Sequence, residues 1–248
     1  MDKPDAYTKG CVEFYKLRFK VTPDVLIPRP ETELLVDEIL AFLKTNNHQL
    51  ITILDLGTGS GNIAISIAKN LNLNPTSGVG VKIIATDISK KVLKIAEQNA
   101  KLQGVKDKIT FIQSNLLSAF FNSSALRCHP RGGHSRNFTL QDIDIIVTNL
   151  PYIPSARIPY LDSSVKDFEP HLALDGGKDG FDLYRKLFQQ INKFSLPPRR
   201  CKPKLILGEI DYTHGELAAI EASKYFPEAN IEVKKDLTHR QRILLVNF

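Results

Sequence analysis

From Ile51 onward, short runs of β-branched and apolar residues alternate with stretches of helical periodicity, and this alternation leaves few folds open to the chain. The runs are ITILDL (51–56), VKIIAT (81–86), ITFIQ (109–113), DIIVTN (144–149) and KLILGEI (204–210). Helical stretches lie near 61–70, 89–103, 179–194 and 213–225, with Gly104 as a helix stop. A strand that is apolar along its whole length is buried on both faces. A series of such strands separated by helices therefore predicts a mainly parallel sheet with helices on each side. IEVKK (231–235) and RILLVNF (242–248) stand too close for a crossover helix, so they pair as a terminal hairpin and make one strand antiparallel.

Ahead of this pattern, CVEFYKLRFKV (11–21) alternates as two short strands turning at Lys16-Leu17. The Pro-rich TPDVLIPRP leads into a helix that begins at Pro30, with Glu31 and Glu33 in its first turn and Leu34, Leu35, Ile39, Leu40 and Leu43 on one face. The expected division is a hairpin and linker over residues 1–30 and one α/β domain over 31–248. NPTSGVG (74–80), SSALRCHPRGGHSRNFTLQ (123–141) and SLPPRRCKP (195–203) read as loops, the second long enough to be a mobile insertion.

No apolar run reaches the roughly 18 residues a membrane helix needs, and the N-terminus has no apolar signal-peptide core. The three cysteines form no CxxC pair, which fits a reducing cytoplasm with neither a disulfide framework nor a zinc site. Cys128, His129 and His134 share a loop with no second ligand pair and read as solvated loop residues. The net charge of +6 includes the groups Arg127, Arg131, Arg136 and Arg199, Arg200, Lys202, Lys204. Neither group has the interleaved aromatics of a single-strand binding platform, so a solvated basic surface is expected and nucleic acid is not.

Three places carry chemistry. Asp55-Leu56-Gly57-Thr58-Gly59-Ser60-Gly61 ends the first parallel strand, and its alternate glycines let backbone approach a ligand closely. A dehydrogenase fingerprint wants glycine where this chain has Asn62, so the loop suits the methionine part of S-adenosylmethionine better than a dinucleotide. Asp87 follows the next strand, 30 positions after Gly57 (87 − 57), against a usual spacing of about 20, and the 74–80 loop accounts for the excess. Its carboxylate can accept both ribose hydroxyls of a nucleoside cofactor; the plainer alternative is a helix N-cap. Asn149-Leu150-Pro151-Tyr152 closes the fourth strand. The Asn149 side-chain oxygen and the Leu150 carbonyl can each accept one N–H of a planar nitrogen and hold it in line for methyl transfer. Pro151 keeps Leu150 extended and so aims that carbonyl, while Tyr152 offers a wall for a planar group. The alternative is an ordinary Asn-Pro strand exit.

These residues resemble the PrmC/HemK family, the glutamine methyltransferases that act on peptide-chain release factors. The likeness runs from about Ala6 to Phe248. It is carried by VLIPRPETELLV (25–36), LDLGTGSGNIAISIA (54–68), Asn149–Tyr152, FEPHLALDGGKDGFDLYR (168–185), GEIDYTHGE (208–216) and KKDLTHRQRILLV (234–246). The resemblance implies a Rossmann-like class I methyltransferase with a seven-stranded, mostly parallel sheet. It implies S-adenosylmethionine as cofactor, held by Gly57 to Gly61, Asp87, Asn149 and, at the adenine end, Leu116. It implies a release-factor Gly-Gly-Gln glutamine held by Asn149 to Tyr152, and Glu31 and Thr32 lining the pocket. Family members usually have proline where Leu150 stands, and a helical domain before the hairpin. Asn-Leu-Pro-Tyr is also similar to the motif of ribosomal RNA adenine dimethyltransferases. An adenine N6-methyltransferase and a non-catalytic cofactor-binding protein are therefore the alternative readings.

Overall fold

The computed structural model describes residues 3–45, 50–71, 80–121, 139–195 and 202–248. Most of the 123–141 loop, with Cys128, His129, His134 and the three arginines, lies outside them, as do residues 74–79 and 196–201 with Arg199, Arg200 and Cys201. In chain order the elements are α1 (Asp5–Lys9), β1 (Cys11–Phe14), β2 (Leu17–Lys20), α2 (Glu33–Thr45), β3 (Ile51–Leu56), α3 (Asn62–Asn70), β4 (Val81–Asp87) and α4 (Lys90–Leu102). There follow β5 (Ile109–Gln113), β6 (Ile145–Thr148), α5 (Ser163–Lys166), α6 (Asp182–Ser195), β7 (Leu205–Glu209), α7 (Gly215–Tyr225), β8 (Asn230–Lys235) and β9 (Gln241–Asn247). Among the described residues no helix is long and apolar enough to cross a membrane.

The seven-stranded sheet runs β5-β4-β3-β6-β7-β9-β8. β3 to β7 pair in parallel, and β9 is antiparallel to both its neighbours. The terminal hairpin thus inserts its second strand beside β7, and one strand is reversed, as expected. Every residue of β3, β6 and β7 is buried. Alternate residues feed two cores. Ile53, Val147 and Leu207 face α2, α3 and the β1–β2 hairpin, where Phe14, Phe19, Leu35 and Ile39 are buried. Leu54, Ile146 and Ile206 face α6 and α7 across Phe181, Tyr184, Phe188 and Phe226.

Boundaries move where turns claim residues. The hairpin turns at Tyr15 and Lys16, one residue earlier than expected, and both hold positive φ (50° and 60°), as a tight hairpin turn requires. Pro30 opens a 3-10 turn, Pro30–Thr32, and the α-helix begins only at Glu33. α3 starts at Asn62 because Gly61 is left-handed at φ 84°. α6 starts three residues later than expected, at Asp182, because Asp179 caps the Phe181 N–H and Gly180 is left-handed.

One buried polar side chain ties the layers together. Asn99, on α4 and wholly buried, donates to the carbonyls of Ser60 (2.8 Å) and Lys20 (3.0 Å) and accepts the Lys20 N–H (2.7 Å). It joins the glycine loop to the N-terminal hairpin. Asn99→Leu keeps the volume but strands those backbone groups, so it should lower the unfolding free energy by about 2–4 kcal/mol. Urea denaturation measures this; a loss under about 0.5 kcal/mol would show that the tie is idle.

Candidate functional site

Parallel register brings the chemistry to one edge. Leu56 pairs with Thr86 on one side and Thr148 on the other, and Thr148 pairs with Gly208. The next residues, Gly57, Asp87, Asn149 and Glu209, therefore stand level at the carboxyl ends of four adjacent strands. Strand order reverses here, because the chain leaves β3 toward β4 and later returns to its other side as β6. Such a switch point opens a crevice where helices and loops diverge to opposite faces. The crevice is a cavity of about 370 Å³.

Its walls include Gly57, Thr58, Gly59, Ser60, Asp87, Leu116, Asn149, Leu150, Pro151 and Thr32. Gly61, Tyr152 and Glu31 are not on the wall, and Glu31 is exposed. Gly61 acts from behind the loop: a Cβ there would lie 2.8 Å from Ile65 Cδ1, and φ is already left-handed. Gly59, at φ 56°, has open space where a Cβ would stand, so its backbone can be approached. Leu116 holds φ 50°, rare for a branched residue, with its carbonyl accepting from the Ser114 hydroxyl. Asp87 is not the cap of α4, since Ser89 fills that place. The Asp87 carboxylate accepts the N–H groups of Gly59 (3.2 Å) and Ser89 (2.9 Å), and burial raises its pKa. Each oxygen keeps a lone pair for a ligand hydroxyl. A backbone open to close approach, an anchored carboxylate and an apolar wall at Leu116 match the amino-acid tail, ribose and base of S-adenosylmethionine, and the residues fit that group.

Beneath the loop, Asp55 is fully buried. One of its oxygens accepts the Thr58 hydroxyl (2.6 Å) and the Ala64 N–H (3.0 Å), so a first-turn donor of α3 is spent inside the protein. Its other oxygen has no hydrogen-bond partner among the described residues. Desolvation raises its pKa to about 7 against the pull of the Thr58 and Ala64 hydrogen bonds, and the Asp87 charge adds to the rise.

At the β6 end, Asn149 Nδ2 donates to Thr32 Oγ1 (3.1 Å), whose hydroxyl donates to Glu209 Oε2 (2.6 Å). Glu209 Oε1 accepts the Tyr152 hydroxyl (3.0 Å), and the Glu209 backbone carbonyl accepts the Tyr184 hydroxyl (2.5 Å). Thr32 and Glu209 are buried, and burial raises the Glu209 pKa. Tyr152 thus turns its hydroxyl inward to β7, while Asn149 remains partly open and meets Thr32 through its Nδ2 rather than its Oδ1.

The 168–185 segment supports this exit loop. Ile153 N donates to Leu174 O and Gly176 N donates to Ile153 O, a short parallel bridge. A Cβ on Gly176 would lie 2.6 Å from Gly180 O and 2.8 Å from Pro151 O, so only glycine allows the two backbones to touch. Arg29, on the cavity wall, pairs with Oε1 of the buried Glu169 of the same segment, while Glu169 Oε2 has no hydrogen-bond partner among the described residues.

Glu209, Gly176 and the Arg29–Glu169 pair escape a residue-by-residue reading. The signal that could have found them is charge inside otherwise apolar or glycine-rich runs: LILGEI, LDGG and PRP.

Comparison with known proteins gives the family and the fold. A family model described as a methyltransferase domain matches residues 47–168. The release factor glutamine methyltransferase of Bacillus cereus is 33% identical, over 97% of this chain and 75% of the relative. That of Flavobacterium psychrophilum is 35% identical, over 99% of this chain and 76% of the relative. Among solved structures, the ribosomal protein L11 methylase of Lactobacillus delbrueckii subsp. bulgaricus has a TM-score of 0.54 at 17% identity, covering 92% of this chain and 83% of that one. The N-terminal domain of human METTL16 in complex with SAH has a TM-score of 0.58 at 13% identity, covering 94% of this chain and 76% of that one. These two carry the fold alone, that of the class I methyltransferases.

Asp55 makes a pH prediction. Its folded pKa of about 7 exceeds its ordinary 3.8, so the native state holds this proton over a range where the unfolded chain has lost it. The stability it contributes is full below the lower value and fades as pH rises through the upper one. The unfolding free energy of the wild type minus that of Asp55→Asn should therefore fall between about pH 4 and pH 7 and level off above. A flat difference across that window would mean that Asp55 is not held protonated.

Proposed function

The chain belongs to the release factor glutamine methyltransferase family, and from that we propose that it methylates the Gly-Gly-Gln glutamine of a peptide-chain release factor with Asn149 and Leu150 gripping the target nitrogen. It is an S-adenosylmethionine-dependent protein-glutamine methyltransferase of the class I fold. The observation that carries the residue assignment is the bond from Asn149 Nδ2 to Thr32 Oγ1, which leaves Asn149 Oδ1 as the end free for a substrate.

A carboxamide nitrogen is a weak nucleophile because its lone pair is delocalised into the carbonyl. Asn149 Oδ1 accepts one of its N–H groups and the Leu150 carbonyl accepts the other. Both acceptors fix the nitrogen in place, which lowers the orientational cost of the reaction. They also favour the geometry in which the nitrogen's electron density points into the cavity. When bound, S-adenosylmethionine supplies a methyl carbon made electrophilic by its sulfonium sulfur. The methyl would then pass from the sulfonium sulfur, which would leave as a thioether, to the nitrogen held by Asn149 Oδ1 and the Leu150 carbonyl, and that nitrogen, made acidic, would give one proton to water. No strong base is needed, which accords with acceptors that are amide oxygens rather than a histidine or carboxylate. Leu150 in place of proline changes nothing in this scheme, since the backbone carbonyl is the acceptor and Pro151 still holds Leu150 extended.

We assign the cofactor's methionine part to the loop Gly57 to Gly61, its ribose hydroxyls to Asp87 and its adenine to the wall at Leu116. Arg29 adds a cation on the same wall. With a release factor as partner, the reaction belongs to the cytoplasm.

Radiolabelled methyl transfer from S-adenosylmethionine tests this. A release factor should be labelled, its glutamine-to-alanine variant should not, and ribosomal RNA should stay unlabelled. Label in RNA instead would favour the adenine reading, and cofactor binding without transfer would make the protein a binder. Asn149→Ala should lower kcat by about 100-fold and leave the cofactor Kd within about threefold. Unchanged kcat would remove Asn149 from the mechanism.

A further inference from the structure

The two ends of an asparagine amide are nearly the same size, so packing alone does not choose between them. The choice matters at Asn149. With Oδ1 toward the cavity it accepts a substrate N–H; turned by half a rotation it meets that N–H with donors of its own. Something must set the orientation before substrate arrives.

We infer that Thr32 and Glu209 are positioning residues that fix the Asn149 amide with its oxygen toward the substrate. The inference rests on the glutamine reading above and names how that site is kept in its productive form. A carboxylate has only acceptors, so an ionised Glu209 compels every hydroxyl it meets to donate. Thr32 has a single O–H, and Glu209 Oε2 takes it at 2.6 Å. Thr32 Oγ1 is left only with lone pairs toward Asn149. It can accept from Nδ2, which it does at 3.1 Å, and it cannot donate to Oδ1. Direction thus passes from carboxylate to hydroxyl to amide, and the amide oxygen is turned outward.

Both relay residues are almost inaccessible, at 2% exposure for Thr32 and 1% for Glu209, so water does not compete for their lone pairs. Glu209 also holds the Tyr152 hydroxyl at 3.0 Å. A single carboxylate therefore secures both ends of the tetrapeptide Asn149–Tyr152. The relay residues come from distant parts of the chain, with 177 positions between Thr32 and Glu209 and 117 between Thr32 and Asn149. Thr32 reaches the site because the 3-10 turn Pro30–Thr32 delays α2 and leaves the threonine facing the β6–β7 edge.

The test uses the full chain with S-adenosylmethionine and release factor. Thr32→Val is isosteric and removes the hydroxyl; it should lower kcat by about 10- to 100-fold while the cofactor Kd stays within about threefold. Thr32→Ser restores the hydroxyl and should recover kcat to within about threefold of wild type. Glu209→Met removes the acceptor, and its loss combined with Thr32→Val should be clearly less than the product of the two single losses, because both act through one chain. In ¹⁵N-asparagine-labelled protein the Asn149 side-chain NH₂ protons, identified by their absence in Asn149→Ala, should exchange slowly in wild type and Thr32→Ser and fast in Thr32→Val.

An unchanged kcat in Thr32→Val, a serine variant no better than valine, or multiplicative losses would each overturn the relay. If the wild type labels no release factor, the function reading fails separately. The exchange of the Asn149 protons then decides the relay alone: slow exchange lost in Thr32→Val supports it, and equal exchange in both overturns it.

Discussion

The site depends on one constraint, the in-register parallel pairing of β4, β3, β6 and β7. Parallel strands share a direction, so their carboxyl ends collect at one edge, and pairing of Leu56 with Thr86 and Thr148, and of Thr148 with Gly208, sets those ends level. A slip of one residue in any pair would carry its terminal side chain to the other face of the sheet. Slippage is opposed by burial on both faces, since every residue of β3, β6 and β7 is inside. The apolar pattern that builds the core thus also aligns the polar residues that follow it.

Those polar residues are held at a cost. Glu209 is a buried carboxylate whose donors are two hydroxyls, with the charge of Arg242 nearby. Arg242 itself is bonded to Asp236. Replacing such a group with an apolar one of similar size is often neutral or stabilising. Its presence at the end of β7 is explained by the direction it imposes on Thr32 and Tyr152, rather than by stability. Asp55, buried beneath the glycine loop with its pKa raised to about 7 by desolvation, is a second polar group held at such a cost.

Much of this was legible in the chain. Strand runs, their parallel arrangement and the reversed terminal strand followed from apolar patterning alone, because a doubly buried strand has few alternatives. The glycine loop, Asp87 and Asn149 were legible because each follows a recognisable strand, whereas Leu116 was legible only through the family resemblance. What was not legible depends on register between strands far apart in sequence. Nothing local to Glu209 says that it will stand beside Asn149, and nothing local to Gly176 says that Pro151 will press against it. Tyr152 reads as an aromatic wall until its hydroxyl is seen to turn inward to Glu209. The hairpin turn was displaced by one residue because Tyr15 and Lys16 lack the glycine or asparagine that usually marks left-handed backbone.

The central claim is that two oxygens, Asn149 Oδ1 and the Leu150 carbonyl, hold one flat nitrogen. A high-resolution crystal structure of the protein with S-adenosylhomocysteine and a glutamine-containing release-factor peptide tests it most directly. The account predicts the glutamine nitrogen within about 2.7–3.2 Å of both oxygens. A glutamine nitrogen bound away from this pair, or facing Asn149 Nδ2, would contradict it.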